Sequence, residues 1–418
     1  MLVNNSKYLL SIVIATKDRT MYCIEAIKSI VAIQSDNIQI AIADNSDSEE
    51  VKEFIQSINN PNIDYVYDSS PTSSIANFNR ALALAKGEYV CMIGDDDGIT
   101  TELLAITQWA KDNNIDAVVG SLSANYRWEN TGASNTVFTK MTGSTLTITN
   151  FDCKAQYVNL EKSLQQLMKG GCTNYLDFLF PKLYHGLVKR SFFDEIKHET
   201  GHYLNGLSPD IYSAITLACK INNLVYIDYP ITIPGVCAVS TSIIEGQNKS
   251  NSKKIEDIPH LKNRGEYHWS EFVPRFYCVQ TIWADSGFAA LKDMGRNDLI
   301  EMFNKYALYS KILIADKSLK NLLETHLTAD SKINNSSYTR EYLLTYVNYI
   351  CFFTQQFLIR SLRRLKIIFK IGKYEEITNL PTINEAMLEL DQYCERNTIN
   401  NAVCHLKNLQ DNSRYIKN

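Results

Sequence analysis

SSIANFNRALALAKGEYVCMIGDDDG, residues 73–98, decides the fold. Its first half, Ser73–Lys86, has helical spacing; its second half, Glu88–Ile93, is a strand-like apolar run. The run stops at Gly94-Asp95-Asp96-Asp97-Gly98. Toward the N-terminus the same pair of patterns recurs. Leu9–Ala15, Ile38–Ala43 and Ile63–Tyr67 read as strands. Residues 20–34 place Ile24, Ile27 and Val31 on one helical face, and Glu49–Ile58 forms a further helix. Strands alternating with helices through short connections predict an α/β fold, a mostly parallel sheet with helices on both faces.

The strand ends carry the chemistry. They read Thr16-Lys17-Asp18-Arg19, Asp44-Asn45-Ser46-Asp47, Asp68-Ser69-Ser70 and Gly94-Asp95-Asp96-Asp97. Ligands of open α/β sheets bind outside the carboxyl ends of the strands. Every such end here is polar and holds an aspartate, a convergence that a purely structural domain does not need. Three adjacent carboxylates repel one another, and hard oxygen ligands of this kind suit Mg²⁺ or Mn²⁺ beside a phosphate-bearing substrate. The alternative for the triplet alone is an acidic surface turn.

Composition narrows the field. The chain has 418 residues, 45% apolar content and a net charge of −4. That is enough for a sizeable core and gives no electrostatic reason to expect nucleic acid as a partner. Ten cysteines without a CxxC pair read as reduced thiols of a cytoplasmic protein. Met1–Lys7 is polar, the apolar run behind it is too short for a signal peptide, and no apolar stretch reaches about 18 residues.

SIVIATKDR (11–19), IADNSDSEE (42–50), ANFNRALALAKGEYV (76–90) and GDDDG (94–98) together resemble, in order and spacing, family 2 glycosyltransferases of the GT-A fold. LYHGLVKRSFF (183–193), SPDIYSAITLA (208–218) and YIDYPITIPGVCAVSTS (226–242) are similar to that family's acceptor-side half. The resemblance implies a catalytic domain over 1–245, with 8–122 on the nucleotide-sugar side and 123–245 on the acceptor side. It also implies a UDP-sugar donor and a glycan or lipid-linked acceptor in bacterial surface polysaccharide synthesis. Thr16, Asp18 and Arg19 would border the base, Asp44 the base or ribose, and Asn79 the nucleotide–sugar junction. Asp97, with Asp95, would hold Mn²⁺ or Mg²⁺, leaving Asp95 or Asp96 toward ribose and sugar. Many relatives carry an aspartate or serine where this chain has Gly94, so the working carboxylate pair stays open.

Such a transfer releases a diphosphate, whose charge a clamped divalent ion stabilises. The attacking hydroxyl needs a base on the opposite face. In the family this is an acidic residue at the start of an acceptor-side helix, the position Asp210 matches behind Pro209. His185, in the YHG turn, contacts acceptor or phosphate, or is a packed core histidine.

Rival motifs are present or missing. His198-Glu199-Thr200-Gly201-His202 fits H-E-x-x-H, the zinc-peptidase pattern, but the helical run before it is short and Ser208 stands where an extended motif has its third histidine. No GxxxxGK[S/T] loop occurs, and the first strand is followed by ATKDR rather than the glycine-rich loop of a nucleotidyltransferase. A catalytically inactive sugar-binding or scaffold member of the same fold is the other alternative.

The remaining chain is less regular. Residues 123–160 lack a period and read as an insertion or long loop, and 246–272 as a mobile linker. Residues 273–418 read as a mainly α-helical extension. No acidic residue lies between Glu341 and Glu375, where Arg360, Arg363, Arg364, Lys366, Lys370 and Lys373 cluster. Opposite them on the helix stand Leu358, Leu362, Leu365, Ile368 and Phe369, preceded by several aromatic residues. The segment 346–373 therefore suits peripheral contact with an anionic membrane surface, or a helix docked on the catalytic domain.

Overall fold

The computed structural model describes residues 6–131, 143–238, 261–333, 335–368, 374–399 and 401–416, the side chains of 363–368, 374 and 410–416 excepted. The N-terminal alternation is as the sequence predicts: β1 (Leu10–Thr16), α1 (Thr20–Val31), β2 (Ile38–Asp44), α2 (Glu50–Ile58), β3 (Ile63–Tyr67), α3 (Ser74–Leu84) and β4 (Tyr89–Ile93). Helix α3 starts where the Ser73 hydroxyl accepts the Ala76 N–H, an N-cap worth about 1 kcal/mol. β1 pairs in parallel with β2 in the register Leu10↔Ile38 and with β4 in the register Leu10↔Tyr89.

Beyond β4 come β5 (Gly98–Ile99), α4 (Leu103–Asp112), β6 (Ala117–Gly120), β7 (Ala124–Arg127), β8 (Thr145–Thr149), β9 (Ala155–Tyr157), α5 (Leu160–Lys169), β10 (Gly186–Lys189), α6 (Arg190–Thr200), α7 (Pro209–Lys220) and β11 (Leu224–Ile227). The main sheet has the order β3-β2-β1-β4-β10-β6-β11-β9. Its first four strands are parallel; β10 runs antiparallel to both β4 and β6. Side chains alternate between two cores, because successive residues of a strand face opposite ways. Ile12, Ile14, Ile40 and Ile42 enter one core, and Val13, Ala41 and Ala43 the other. This is the GT-A type of α/β architecture.

One expectation is corrected. The described residues of 123–160 are not an aperiodic insertion: β7 and β8 belong to a second sheet of order β13-β7-β8-β14, with β13 at Gly235–Val236 and β14 at Tyr374–Thr378, and β9 edges the main sheet. These strands are only three to five residues long, too short for alternation to emerge from the polar background. Tyr126, Leu146 and Ile148 are nevertheless fully buried. Between β11 and β13 lies β12 (Thr232–Ile233), paired antiparallel with β5.

The C-terminal part is mainly helical, as expected. It comprises α8 (Val279–Asp293), α9 (Asn297–Ile300), α10 (Lys305–Ala315), α11 (Lys320–Ile333), α12 (Tyr338–Ile368), α13 (Ile383–Arg396) and α14 (Ala402–Ile416) among the described residues. Helix α12 packs on α10, where Ser310 Oγ donates to the Thr345 carbonyl and Lys311 lies 5.4 Å over the Phe352 ring. Its other face leaves Leu343, Val347, Ile350, Phe353, Phe357, Leu358 and Leu362 exposed. The cations beyond Arg360 fall outside the described side chains.

After α12 the chain returns to the N-terminal half. β14 pairs with β8, the Tyr126 hydroxyl donates to the Leu380 carbonyl, and Thr101 Oγ1 donates to Asp391 at 3.0 Å. Helix α13 starts with a Thr382–Glu385 capping box and lays the buried Ile383 side chain directly on Gly98. The last helices thus support the turn that carries the three aspartates. Among the described residues no helix is long and apolar enough to cross a membrane, and all ten cysteines are free thiols.

Candidate active site

The Asp95-Asp96-Asp97 turn joins β4 to β5 at the carboxyl end of the sheet, and the three residues are only 4–5% exposed. Each carboxylate is held differently. Asp95 accepts the Thr16 hydroxyl at 2.7 Å and pairs with Arg19 at 2.8 Å. Asp96 accepts the Cys237 N–H at 3.2 Å, lies 3.4 Å from Arg19, and its carbonyl accepts the Trp128 indole N–H at 2.8 Å. Asp97 accepts the Gly94 N–H and the Gly235 N–H, both at 2.6 Å.

These contacts give Gly94 a reason. A Cβ there would sit 2.9 Å from Asp97 Oδ2, an oxygen already fixed by the Gly94 N–H. The same holds more severely at Gly235, where a Cβ would overlap the Asp96 carbonyl. Neither position has room for a side chain.

The turn carries more negative charge than its surroundings neutralise. Burial, offset in part by Arg19 but reinforced by Asp96, pushes Asp95 up to about 6. Burial and then Asp96 push Asp97 up to about 8 despite two backbone hydrogen bonds. Nearby, burial and then Lys182 bring His185 down to about 3, so its imidazole is neutral. His185 Nδ1 lies 3.0 Å from Thr232 Oγ1, and Nε2 lies 3.4 Å from Asp97 Oδ2.

Among the described residues no three His, Cys, Asp or Glu side chains are grouped to hold a metal on their own. A small hard cation bound by one or two carboxylates plus substrate phosphates and water does not require three. The excess of buried carboxylate charge and the all-oxygen donors fit such an ion.

One cavity opens on the turn, and a second adjoins that cavity. The first, about 620 Å³, is lined by Thr16, Asp18, Arg19, Asp95, Asp96 and Asp97 among others. Six expected residues therefore converge in one space. Asp18 is held there in a left-handed conformation (φ 54°), with its carboxylate accepting the Asp47 N–H at 2.9 Å.

Two other expected residues do not reach this cavity. Asp44 is fully buried, its oxygens accepting the Ser46 N–H and the Tyr65 hydroxyl, each at 2.8 Å. Asn45 lines the cavity instead, one residue further along a strand end where neighbours face opposite ways. Asn79 donates to the Ile75 and Leu204 carbonyls and accepts the Tyr203 and Leu204 N–H groups, so its amide is spent on backbone. Asn77 and Phe78 line the cavity in its place. Lys262, from the stretch read as a linker, also lines it; residues 246–260 of that stretch lie outside the described residues.

The second cavity, about 560 Å³, is lined by Asp210, His185, Lys182, Tyr175 and Trp283 among others. Phe78 and Tyr184 border both cavities, with ring centroids 6.0 Å apart in a T-shaped contact. Asp210 stands in the first turn of α7, after Pro209. Burial pushes its carboxyl up to about 6, with Lys182 opposing. Its carboxylate makes no hydrogen bond among the described residues.

The H-E-x-x-H stretch does not form a zinc site. His198 and Glu199 are exposed on α6, and Glu199 pairs with Lys220 at 2.5 Å. Helix α6 ends at Thr200, and Gly201 turns the chain at φ 85°. His202 therefore leaves the helical face and lies 3.0 Å from the Tyr212 hydroxyl and 3.2 Å from Asp293.

The acidic turn at the carboxyl end of a mostly parallel sheet thus lines one cavity, and a second cavity adjoins it across Phe78 and Tyr184. Residues 11–153 match the family model described as Glycosyl transferase family 2. One relative, whose name assigns it to colanic acid biosynthesis, is the glycosyl transferase WcaA of Escherichia coli (strain K12). It is 32% identical over 100 residues, 23% of this chain and 36% of its own length. An uncharacterized glycosyltransferase of Mycoplasma genitalium, MG060, is 29% identical over 119 residues, 26% of this chain and 40% of its own. The matches thus span well under half the length of these relatives.

Among solved structures, TarS 1–349 of S. aureus in complex with UDP-GlcNAc is 14% identical, with a TM-score of 0.43 over 81% of this chain and 89% of that one. The mannosyltransferase PcManGT from Pyrobaculum calidifontis in complex with GDP-Man and Mn²⁺ is 10% identical, with a TM-score of 0.37 over 83% of this chain and 88% of that one. Likenesses so remote say nothing of this chain's ligands.

Proposed function

We propose that this chain is a metal-dependent, inverting glycosyltransferase that moves a sugar from a nucleotide-diphosphate sugar, a UDP-sugar, to a hydroxyl acceptor in bacterial surface polysaccharide synthesis. The observation that supports this most is the juxtaposition of two cavities across Phe78 and Tyr184, one lined by the acidic turn and the other by Asp210. A donor in the first would meet an acceptor in the second.

In this reading Thr16, Asp18, Arg19 and Asn45 hold the nucleotide, and the acidic turn faces its diphosphate. Mn²⁺ or Mg²⁺ held by Asp97 and Asp95 would stabilise the negative charge of the departing diphosphate. Asp210 takes the proton of the acceptor hydroxyl as its oxygen bonds to the anomeric carbon. The bond from that carbon to the β-phosphate oxygen breaks, and its electron pair leaves with the diphosphate. Attack from the face opposite the leaving group inverts the anomeric configuration. The neutral His185, wedged between Asp97 and Thr232, positions the turn from the acceptor side.

The catalytic domain would cover 1–245, with 8–122 on the donor side and 123–245 on the acceptor side. The helical extension 273–418 would then serve two ends. Its last elements, β14 and α13, brace the acidic turn. The exposed apolar stripe of α12, with no acidic residue between Glu341 and Glu375, would rest on an anionic membrane surface at 346–373, where lipid-linked acceptors reside.

Incubating the full chain with UDP-sugars and assaying UDP release tests the activity. Release that depends on Mn²⁺ or Mg²⁺ and is lost in Asp97→Ala supports the reading. No release from any nucleotide sugar, with or without glycan acceptors, favours an inactive member of the fold.

A further inference from the structure

Lys182 and Asp210 line the same cavity and act on each other electrostatically, yet they form no ion pair. Among the described residues the Lys182 ammonium has neither a hydrogen bond nor a carboxylate within 4 Å, and the Asp210 carboxylate likewise has no partner. Burial pulls the Lys182 ammonium below its usual range, with Asp210 opposing. Most of the walls around the pair are rings and aliphatic side chains, including Tyr175, Tyr184 and Trp283. Tyr175 and Trp283 meet edge to face at 5.5 Å.

A cation held partly out of water without a partner is unfavourable unless something completes it. Lys182 has a solvated alternative, because a lysine stem is long and flexible enough to lift its head into water. A base needs to remain unpaired to receive a proton. A lysine beside it does not.

We propose that the acceptor carries an anionic group, a phosphate or a carboxylate, near its reacting hydroxyl, and that Lys182 is the residue that recognises it. This rests on the acceptor-side reading of the second cavity and deepens it to a substrate class. The hydroxyl meets Asp210, the anion meets Lys182, and the aromatic walls take the apolar faces of the sugar. A neutral acceptor would cover the ammonium without giving it a partner. A charge-assisted hydrogen bond in such a site outweighs a neutral one roughly twofold in energy, so the discrimination is large.

Calorimetric titration of the full chain, with UDP and Mn²⁺ present to occupy the donor side, tests this. The probes are glucose 6-phosphate, glucuronate and methyl glucoside, applied to wild type, Lys182→Met and Lys182→Arg. Wild type should bind at least one of the two anions about tenfold or more tightly than the neutral glycoside, and which one identifies phosphate or carboxylate as the source. Lys182→Met should abolish that preference while its UDP binding stays unchanged and its melting temperature does not fall. Lys182→Arg should keep the preference. Equal binding of charged and neutral probes by wild type, or a preference that persists in Lys182→Met, overturns the proposal. Retained UDP binding in that case would leave the transferase reading intact, whereas loss of UDP binding in wild type would contradict that reading itself.

Discussion

The Gly235 N–H donates to Asp97 Oδ1 at 2.6 Å across 138 positions of sequence, and Gly235 has no room for a Cβ because the Asp96 carbonyl stands there. One glycine thus fixes both the backbone and the side-chain direction of the acidic turn. Gly235→Ala should destabilise the fold by about 1–3 kcal/mol through overpacking and should weaken UDP binding as the turn shifts. Urea unfolding and UDP titration read the two effects. A variant with wild-type values of both would show that the turn does not depend on this contact.

Asp210 makes a second prediction, on rate and on pH. Asp210→Asn should lower kcat by about 10²–10⁴ while UDP binding is retained, since the residue lines the other cavity. Its carboxyl is pushed up to about 6 from an ordinary 3.8, so the base is protonated, and idle, below that value. The kcat/KM profile, which reports the free enzyme, should therefore fall as pH drops through about 6 and level off above it. A limb near pH 4 would mean that another group is the base.

Ile383 tests the support from the C-terminus. It is fully buried and lies on Gly98, directly after the three aspartates. Ile383→Ala should cost about 2–5 kcal/mol, as buried large-to-small changes do, and truncation before β14 should expose the open edge of β8. Denaturant unfolding of the point variant checks the number. Unchanged stability would mean that the last helices are dispensable.

The exposed stripe of α12 gives a prediction that truncation cannot test, because removing everything past α12 also removes β14 and α13. Replacing Leu343, Ile350 and Phe357 by glutamine keeps the helix and removes the apolar contact. Co-sedimentation with vesicles containing anionic lipid should be strong for wild type and lost for the triple variant. Equal binding by both would remove the membrane surface as a partner.

The N-terminal sheet was legible because its strands are buried on both faces and so read as continuous apolar runs, β2 being buried at every residue. The acidic turn was legible for the opposite reason, three charges where charge is costly. The companion residues were not. Whether Asp44 or Asn45, Asn79 or Asn77, faces the cavity is a matter of one or two residues at an element's end, finer than periodicity resolves. Gly235 and Ile383 act on the turn from 138 positions away and from the far end of the chain, through contacts with backbone that leave no local pattern. The β7–β8 pair stayed hidden because strands of four and five residues give too few alternations.

The central claim is that Asp95–Asp97 form a metal-assisted nucleotide site. Thermal unfolding of wild type and Asp97→Ala with UDP or GDP, each with and without Mn²⁺, tests it most directly. A ligand at about 100 times its Kd adds about 2.7 kcal/mol to the folded state. The account predicts a clear rise in melting temperature for wild type with UDP and Mn²⁺ together, little with either alone, and none in Asp97→Ala. A rise of equal size in Asp97→Ala, or no response of wild type to either nucleotide with Mn²⁺, would contradict it.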